Sequence, residues 1–191
     1  AFLGTRIEVI DFNANNIGPS LPDLSSIAST VRDLYFTNNN IETISANFFE
    51  GMTKLQLFSI GWNKLTQWPD FSRLPSDNSL SLLSVNGFQV ASPKAFSRLI
   101  EHVTDKLEYL FLFDMDMSLV SPEDFYNLAK AFPNLRELTF RHDELITFPD
   151  IRSISRNRTL SLELYGNPLI CDCRLGWMID MSKISDSYVT F

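Results

Sequence analysis

Apolar residues return along the chain in a frame of eleven residues. The frame has apolar side chains at its first, fourth, sixth and eleventh places and, in its regular copies, asparagine at the ninth. Seven copies begin at residues 7, 31, 55, 80, 107, 135 and 159, so the spacings are 24, 24, 25, 27, 28 and 24 residues. Of the 28 apolar places 27 are filled, and only Thr159 departs from the pattern. Such a period predicts a repeating structural unit that stacks on its neighbours.

The centre of each copy alternates between outward and inward positions. In the second copy Asp33 and Tyr35 face one way and Leu34 the other, which is the pattern of a short half-buried strand. One unit cannot bury its apolar edge alone, so stability comes from contacts between neighbouring units. The sequence therefore predicts one strand in each copy, with successive strands paired in parallel.

Asparagine at the ninth place suits a chain that is leaving a strand. Its amide both donates and accepts hydrogen bonds, so it can satisfy backbone groups inside the coil. We expect a ladder of such amides from Asn15, Asn39, Asn63 and Asn167. Phe88 and Met115 take this place in the fourth and fifth copies and cannot form these bonds, so we expect distorted turns there.

The segments between the frames differ in the structure that they predict. Two of them have the apolar spacing of a helix and begin at Ser-Pro pairs, Ser92-Pro93 and Ser121-Pro122. The apolar faces of these helices would be Phe96, Leu99, Ile100 and Val103 in the first, and Phe125, Leu128 and Phe132 in the second. The stretches 68–71 and 148–151 contain proline and favour extended or single-turn structure. Phenylalanines on these segments predict an aromatic core: Phe48, Phe71, Phe96, Phe125 and Phe148.

The period and the apolar frame resemble the leucine-rich-repeat family over residues 7–169, as seven repeats. The resemblance implies an α/β fold: a right-handed solenoid with a concave parallel β-sheet, and short helices and extended segments on the convex side. Residues 1–6 resemble the remnant of an incomplete preceding repeat. Residues 170–191 are interpreted as a partial C-terminal cap.

The end of the chain resembles the start of the cysteine-rich cap of extracellular leucine-rich-repeat proteins. Cys171, Cys173 and Trp177, within GNPLICDCRLGWMIDM, carry this resemblance. It implies disulfides to two later cysteines and a tryptophan packed over the last coil. No later cysteine follows, and two cysteines one residue apart are poorly placed to bridge each other. The alternatives are a chain cut within its cap, a proteolytic or poorly ordered remainder, and a member without the bridges; without them the two residues would be buried free thiols.

Two features predict an extracellular location, either secreted or as a cell-surface ectodomain. Disulfide-bearing caps belong to oxidising compartments, and Asn157-Arg158-Thr159 is a glycosylation sequon. We therefore expect a glycoprotein with disulfides. The resemblance reaches the broad group that includes Toll-like and Slit-like ectodomains.

Composition and motifs narrow the function further. A net charge of −7 repels phosphate, which disfavours nucleic acid and anionic membranes as partners. The longest apolar run, residues 109–113, is far too short to insert into a bilayer. No metal-ligand spacing, phosphate loop, dinucleotide motif or nucleophile elbow occurs, so we expect no metal, no cofactor and no enzyme activity. The titratable residues that would merit a test for catalysis are Glu137, Arg141, His142 and Glu163.

The outward places of the strands would line one concave surface on which a protein ligand could bind. Aromatic side chains and arginine there have the composition of an interface hot spot. The predicted binding residues are Tyr109, Phe111, Phe113, Arg141, Tyr165, Trp62 and Leu82. Loops or a longer chain covering this surface are the alternative. We predict a non-catalytic recognition module for a protein ligand or, as the second hypothesis, an accessory or structural subunit of a secreted complex, with the oligomeric state open.

Overall fold

The computed structural model describes residues 4–87, 93–103, 105–155, 159–181 and 188–190. Short strands pair in parallel, in chain order, within one sheet. They are β1 (Val9–Asp11), β2 (Asp33–Tyr35), β3 (Leu57–Ser59), β4 (Leu82–Ser84), β5 (Tyr109–Phe111), β6 (Glu137–Thr139), β7 (Ser161–Glu163) and β8 (Tyr188–Thr190). The seven predicted strands are confirmed. The eighth strand was not predicted.

The register of the sheet follows the repeat. The middle residue of each strand lies opposite the middle residue of the next, as in Ile10 opposite Leu34 and Leu34 opposite Phe58. These middle residues point into the core, and from Leu34 to Leu162 they have no solvent exposure. Successive repeats therefore place chemically equivalent residues in rows across the sheet. The fold is the predicted α/β leucine-rich-repeat solenoid.

The terminal repeats follow the frame less closely than the central ones. Ile7, Phe12 and Ile17 of the first repeat are only partly buried, since no described coil covers them. In the last repeat Thr159 is exposed, and the neighbouring Leu160 is fully buried in its stead. At Thr159, where the apolar pattern of the sequence fails, the buried residue is thus shifted by one position along the chain.

The helices lie on the return segments. They are α1 (Pro93–His102), α2 (Pro122–Ala131), α3 (Arg152–Ser155) and α4 (Trp177–Met181), with 3₁₀ turns at Ser25–Ile27 and Cys173–Leu175. Both predicted helices are present, and Phe96, Leu99, Phe125 and Leu128 are buried on their inner faces. The expected cap Ser92 lies outside the described residues. Among the residues that the structure describes, no helix has the length and apolarity needed to cross a membrane.

An aromatic spine runs through the core behind the sheet. Phe49 stacks on Phe71 with ring centroids 4.8 Å apart, and Phe125 lies 5.3 Å from Phe148. Trp68 packs against the same core and meets Phe96 edge-on with ring centroids 6.1 Å apart. The five predicted core phenylalanines are all buried.

The asparagine ladder forms at three of the four predicted positions. The Nδ2 atom of Asn39 donates to the carbonyl of Phe12 in the preceding repeat at 2.8 Å, and its Oδ1 accepts from the Ile17 amide at 2.9 Å. Asn63 and Asn167 repeat both types of contact. Asn15 was predicted wrongly: it is exposed, and its amide donates to the nearby Asn13 carbonyl, because it lies in the first repeat.

The turn that ends β5 is less distorted than predicted. Asp114, just before Met115, has the left-handed conformation found at the same place of the other repeats. The Met115 amide still has a ladder partner, since it donates to Oδ1 of Asp143 at 2.8 Å. The second expected distortion, at Phe88, lies outside the described residues.

The last segment packs against the end of the solenoid. Trp177 is 4% exposed and joins the core together with Leu175 and Met178. Cys171 and Cys173 are both free and exposed, so the alternative of buried free thiols is wrong. Cys173 is the first residue of the 3₁₀ turn Cys173–Leu175, and Cys171 lies two residues before it.

Candidate functional site

A left-handed residue follows every strand of the seven frames. The eighth place of each frame has a φ between 48° and 77°, and the residues are Ala14, Asn38, Trp62, Gly87, Asp114, His142 and Gly166. This conformation is unfavourable for a side chain with a Cβ and most unusual for a bulky one. The turn therefore repeats for geometric reasons, although the residue type at this place varies.

Trp62 is the bulky member of that series. Its ring lies over Gly87 of the next repeat, where a Cβ in place of the glycine hydrogen would come within 2.7 Å of the Trp62 Cδ1 atom. Trp62 is nevertheless 45% exposed. A large aromatic side chain is thus held in a costly backbone conformation and left half open to solvent, which is a pattern typical of functional sites.

Trp62 lies at one end of a strip of apolar side chains on the outward face of the sheet. We call Trp62, Leu82, Tyr109, Phe111 and Phe113 the aromatic strip. Trp62 meets Phe113 edge-on with centroids 5.3 Å apart, and Tyr109 lies 6.4 Å from Phe111. Leu82 is paired with Tyr109 in the ladder. The structure thus brings five of the seven predicted binding residues together.

The aromatic strip is less exposed than the sequence indicated. Tyr109, Phe111, Phe113 and Leu82 are each half-buried. The three aromatic residues occupy alternate positions along and just after β5, and Leu82 lies beside Tyr109 on β4, so neighbouring side chains cover one another. Trp62 itself remains 45% exposed, while the segment after Phe88, one of the loops that the alternative prediction would place over the strip, lies outside the described residues. The strip is a shallow apolar surface rather than a row of free side chains.

The two other predicted binding residues lie beyond the strip. Arg141 forms an ion pair with Glu163, whose side chain is only 15% exposed. Tyr165 is 57% exposed and meets the His142 ring edge-on at 5.3 Å. Arg141 and Tyr165 each lie two residues after the end of a strand, β6 and β7 respectively. They form a polar and aromatic border next to Phe113.

The strip is bordered by carboxylates on both sides. Glu137 faces Tyr109 across the ladder, and Asp33 and Asp11 lie on the opposite side with Tyr35. Burial raises the pKa of Glu137, and the Glu163 carboxylate raises it further while Arg141 opposes them. Burial and the two aspartates also raise the pKa of Tyr35. The outward face therefore combines an apolar centre with negative flanks.

Three of the four residues that would merit a test for catalysis form side-chain contacts on this face. Arg141 pairs with Glu163, and His142 packs on Tyr165. In the described part of the chain, no three His, Cys, Asp or Glu side chains gather as a metal site would require. The arrangement offers surface for binding, with apolar area at its centre and charge at its edge.

Two hollows that sequence reasoning missed lie away from the strip. One of about 390 Å³ is on the flank of the fifth and sixth repeats, bordered by the exposed Leu119 and Ile146. The other, of about 470 Å³, lies at the C-terminal end and includes Leu169, Cys171 and Met178. The hollow on the flank could have been predicted from Leu119 and Ile146, aliphatic residues that follow closely after the frames of the fifth and sixth repeats.

The predicted glycosylation site is not part of the described structure. Asn157 and Arg158 lie outside the described residues, while Thr159 of the same sequon is exposed. As described above, Leu160 rather than Thr159 fills the first apolar place of the last repeat. Glycosylation of Asn157 stays a prediction.

Comparisons with known proteins support the repeat assignment. No model of a known protein family matches the chain. Immunoglobulin domain and leucine-rich repeat-containing protein 2 of Caenorhabditis elegans is 26% identical over 193 residues, which cover 92% of this chain and 23% of that protein. The chain thus spans about a quarter of the length of this relative.

Among solved structures, similarity is found to a chain of the octameric complex of latrophilin 3 (Lec, Olf), Unc5D (Ig, Ig2, TSP1) and FLRT2 (LRR). The match covers 96% of this chain and 83% of that chain, with 17% identity and a TM-score of 0.43. The fold assignment rests on the register of the parallel strands and on the rows of buried residues that repeat across them.

Proposed function

We propose that this chain is a non-catalytic recognition module that binds a protein ligand with the aromatic strip on its concave face. The observation that carries the proposal is Trp62, which is half exposed in a left-handed conformation that stability alone would not select. Tyr and Trp side chains that are partly buried and rigid are the usual anchors of protein interfaces. Solenoids of this kind present extended concave surfaces to their partners.

The proposed location is extracellular, as part of a secreted protein or a cell-surface ectodomain. The C. elegans relative joins leucine-rich repeats to an immunoglobulin domain according to its name, and this supports a protein-binding role for the present chain. We further propose that residues 170–191 are part of a C-terminal cap. The burial of Trp177 with Leu175 and Met178 at the end of the solenoid supports this.

The second candidate is an accessory or structural subunit of a secreted complex. The hollow on the flank favours it, because Leu119 is 71% exposed and Ile146 55% exposed beside an apolar recess. Exposed contiguous apolar surface marks an interaction site. A subunit held in a permanent complex would use this flank in addition to, or in place of, the concave face.

The two candidates are separated by a binding screen against a panel of secreted proteins and ectodomains. The immobilised wild type is compared with Trp62→Asn/Phe111→Thr, which removes the centre of the aromatic strip. Asparagine and threonine are chosen because Asn38 and Thr139 occupy the equivalent places of other repeats. Ile146→Thr is the matched control, since it removes apolar surface from the flank alone.

The proposal predicts a partner that binds wild type and Ile146→Thr but not the double variant. Loss of an interface anchor costs about 2 kcal/mol or more, which is at least about a thirtyfold weaker affinity. A partner that is lost only with Ile146→Thr would support the second candidate. Equal binding to all three proteins would contradict both.

A further inference from the structure

The edge of the aromatic strip toward the C-terminal repeats is a meeting point of aromatic rings and carboxylates. Tyr109 of β5 lies directly opposite Glu137 of β6, and Phe111 lies opposite Thr139, which is followed by Glu163 of β7. Adjacent strands are about 4.8 Å apart, so these side chains share one small area of the sheet. Thr139 is 2% exposed and forms the floor beneath them.

The charges in this area are unbalanced. Two carboxylates, Glu137 and Glu163, face a single cation, Arg141, and Arg141 forms its ion pair with Glu163. Among the described residues no Lys or Arg forms a salt bridge with Glu137. Glu137 is half-buried, and burial together with the Glu163 charge raises its pKa. A half-buried carboxylate without a cation is less stable as an anion than one in water.

A neighbouring hydroxyl has unused hydrogen-bonding capacity. Ser161 lies opposite Glu137 on the next strand and is 5% exposed, and its Oγ has no hydrogen-bond partner in the described part of the structure. A buried polar group without a partner is uncommon in folded proteins. Because Ser161 Oγ is buried, Glu137 is the acceptor of this pair that a donor at the surface can reach.

We infer that Tyr109, Phe111 and Glu137 receive a positively charged side chain of the protein partner, best met by an arginine. This deepens the proposed function and rests on it. A guanidinium group stacks on aromatic faces and donates to carboxylates from one planar fork, which is the combination that β5 and β6 offer. The net charge of −7 and the carboxylates at the rim favour the approach of a basic partner.

The charge of Arg141 does not fill the same role. It stands two residues beyond Thr139 at the strand exit and is already paired with Glu163. A cation from the partner at Glu137 would leave that pair in place and neutralise the second carboxylate. Asp11 and Asp33 lie on the other side of the strip. On the following strand Asp11 has Tyr35 opposite it, and Asp33 has the aliphatic Leu57. Neither carboxylate therefore lies beside a pair of rings like Tyr109 and Phe111.

The inference is tested with a displayed library of short random peptides selected on the immobilised wild-type chain. Peptides are kept if they bind wild type but not Trp62→Asn/Phe111→Thr. The expected result is an arginine or lysine at a shared position of these peptides. For one such peptide, Glu137→Gln should weaken binding about tenfold. Glu50→Gln, which removes the same charge from an exposed return segment, should leave it unchanged.

Exchange of the peptide's arginine for the neutral isostere citrulline completes a double-mutant cycle. Citrulline should weaken binding to wild type by a similar factor and have little effect on Glu137→Gln, because the two changes remove one interaction. Raised salt should weaken the arginine peptide more than the citrulline peptide. Unfolding curves of Glu137→Gln confirm that the variant is folded before its affinity is compared.

The alternative outcomes are distinct. Strip-dependent peptides without a shared basic position, or citrulline effects equal in wild type and Glu137→Gln, would overturn this inference and leave the proposed function standing. A library that yields no peptide dependent on the aromatic strip would overturn both.

Discussion

At the scale of single residues, Asp143 places a titratable group at a position of the asparagine ladder inside the core. It occupies the ladder place that asparagine fills in Asn39, Asn63 and Asn167. It is fully buried, and its Oδ2 has no hydrogen-bond partner among the described residues. Burial raises the pKa of Asp143 to about 8, the Asp114 charge raises it as well, and the hydrogen bond from the Met115 amide opposes them. The neutral acid is therefore the form that the fold favours.

This shift has a defined effect on stability. The unfolded chain loses the Asp143 proton near pH 4, whereas the folded chain keeps it up to about pH 8. Over that interval the folded state binds more protons, so the free energy of unfolding decreases as pH rises, and the decrease ends above about pH 8. The lowered pKa values of Asp23, Asp70, Asp116 and Asp172 act at lower pH with the opposite sign.

We predict that Asp143→Asn stabilises the protein at pH 8 by about 1–3 kcal/mol, because an amide satisfies the site without a charge. The gain should shrink as pH falls toward 5, where Asp143 is neutral in the folded chain. Urea unfolding of both proteins at pH 5 and pH 8 measures this. Unfolding free energies that differ by the same amount at both pH values would show that Asp143 is ionised in the fold.

At the scale of elements, the start of α2 shows how local sequence determines a return segment. The Asp124 amide donates to Ser121 Oγ at 3.2 Å, while the Ser121 amide donates to the Asp124 carboxylate at 3.0 Å. Pro122 takes the first helical position, where a missing amide hydrogen costs nothing. These contacts lie within four residues, which is why the sequence alone located this helix.

We predict that Ser121→Ala lowers the free energy of unfolding by about 1 kcal/mol, since the amides at the start of α2 lose their side-chain partner. Asn127→Ala is the control on the exposed face of the same helix, where alanine favours helix formation. Chemical unfolding monitored by circular dichroism compares the two. A Ser121→Ala protein as stable as wild type would mean that packing of Phe125 and Leu128, rather than the cap, fixes the helix start.

Other elements could not be predicted because their determinants lie between repeats. The strand β8 was missed because only the centre of the eleven-residue frame is matched there, by three residues. The strand is defined by its pairing with β7, which the local sequence does not show. The exchange of Thr159 for Leu160 likewise depends on how the last repeat packs. Alternation of inward and outward residues located the aromatic strip, but the half-burial of its rings and the Arg141–Glu163 pair follow from side chains on different strands.

At the scale of the whole molecule, the packed core and the aromatic strip lie on opposite faces of one sheet, so the proposed recognition is separate from the contacts that stabilise the fold. The inward face holds the aliphatic rows and the aromatic spine, which continue from one repeat to the next. The outward face holds the aromatic strip with carboxylates on both sides. Because a solenoid is stabilised by nearest-neighbour contacts, substitutions on the outward face can change binding with little effect on the fold.

The most direct measurement of the central claim uses tryptophan fluorescence. Of the three tryptophans, Trp62 is 45% exposed on the strip, Trp68 is partly buried and Trp177 is 4% exposed. Acrylamide quenching of the free protein should therefore be dominated by Trp62 and should fall sharply in Trp62→Phe. With a saturating protein partner, the account predicts that quenching of wild type falls to the level of Trp62→Phe. A bound partner that leaves the quenching of Trp62 unchanged would contradict recognition by the aromatic strip.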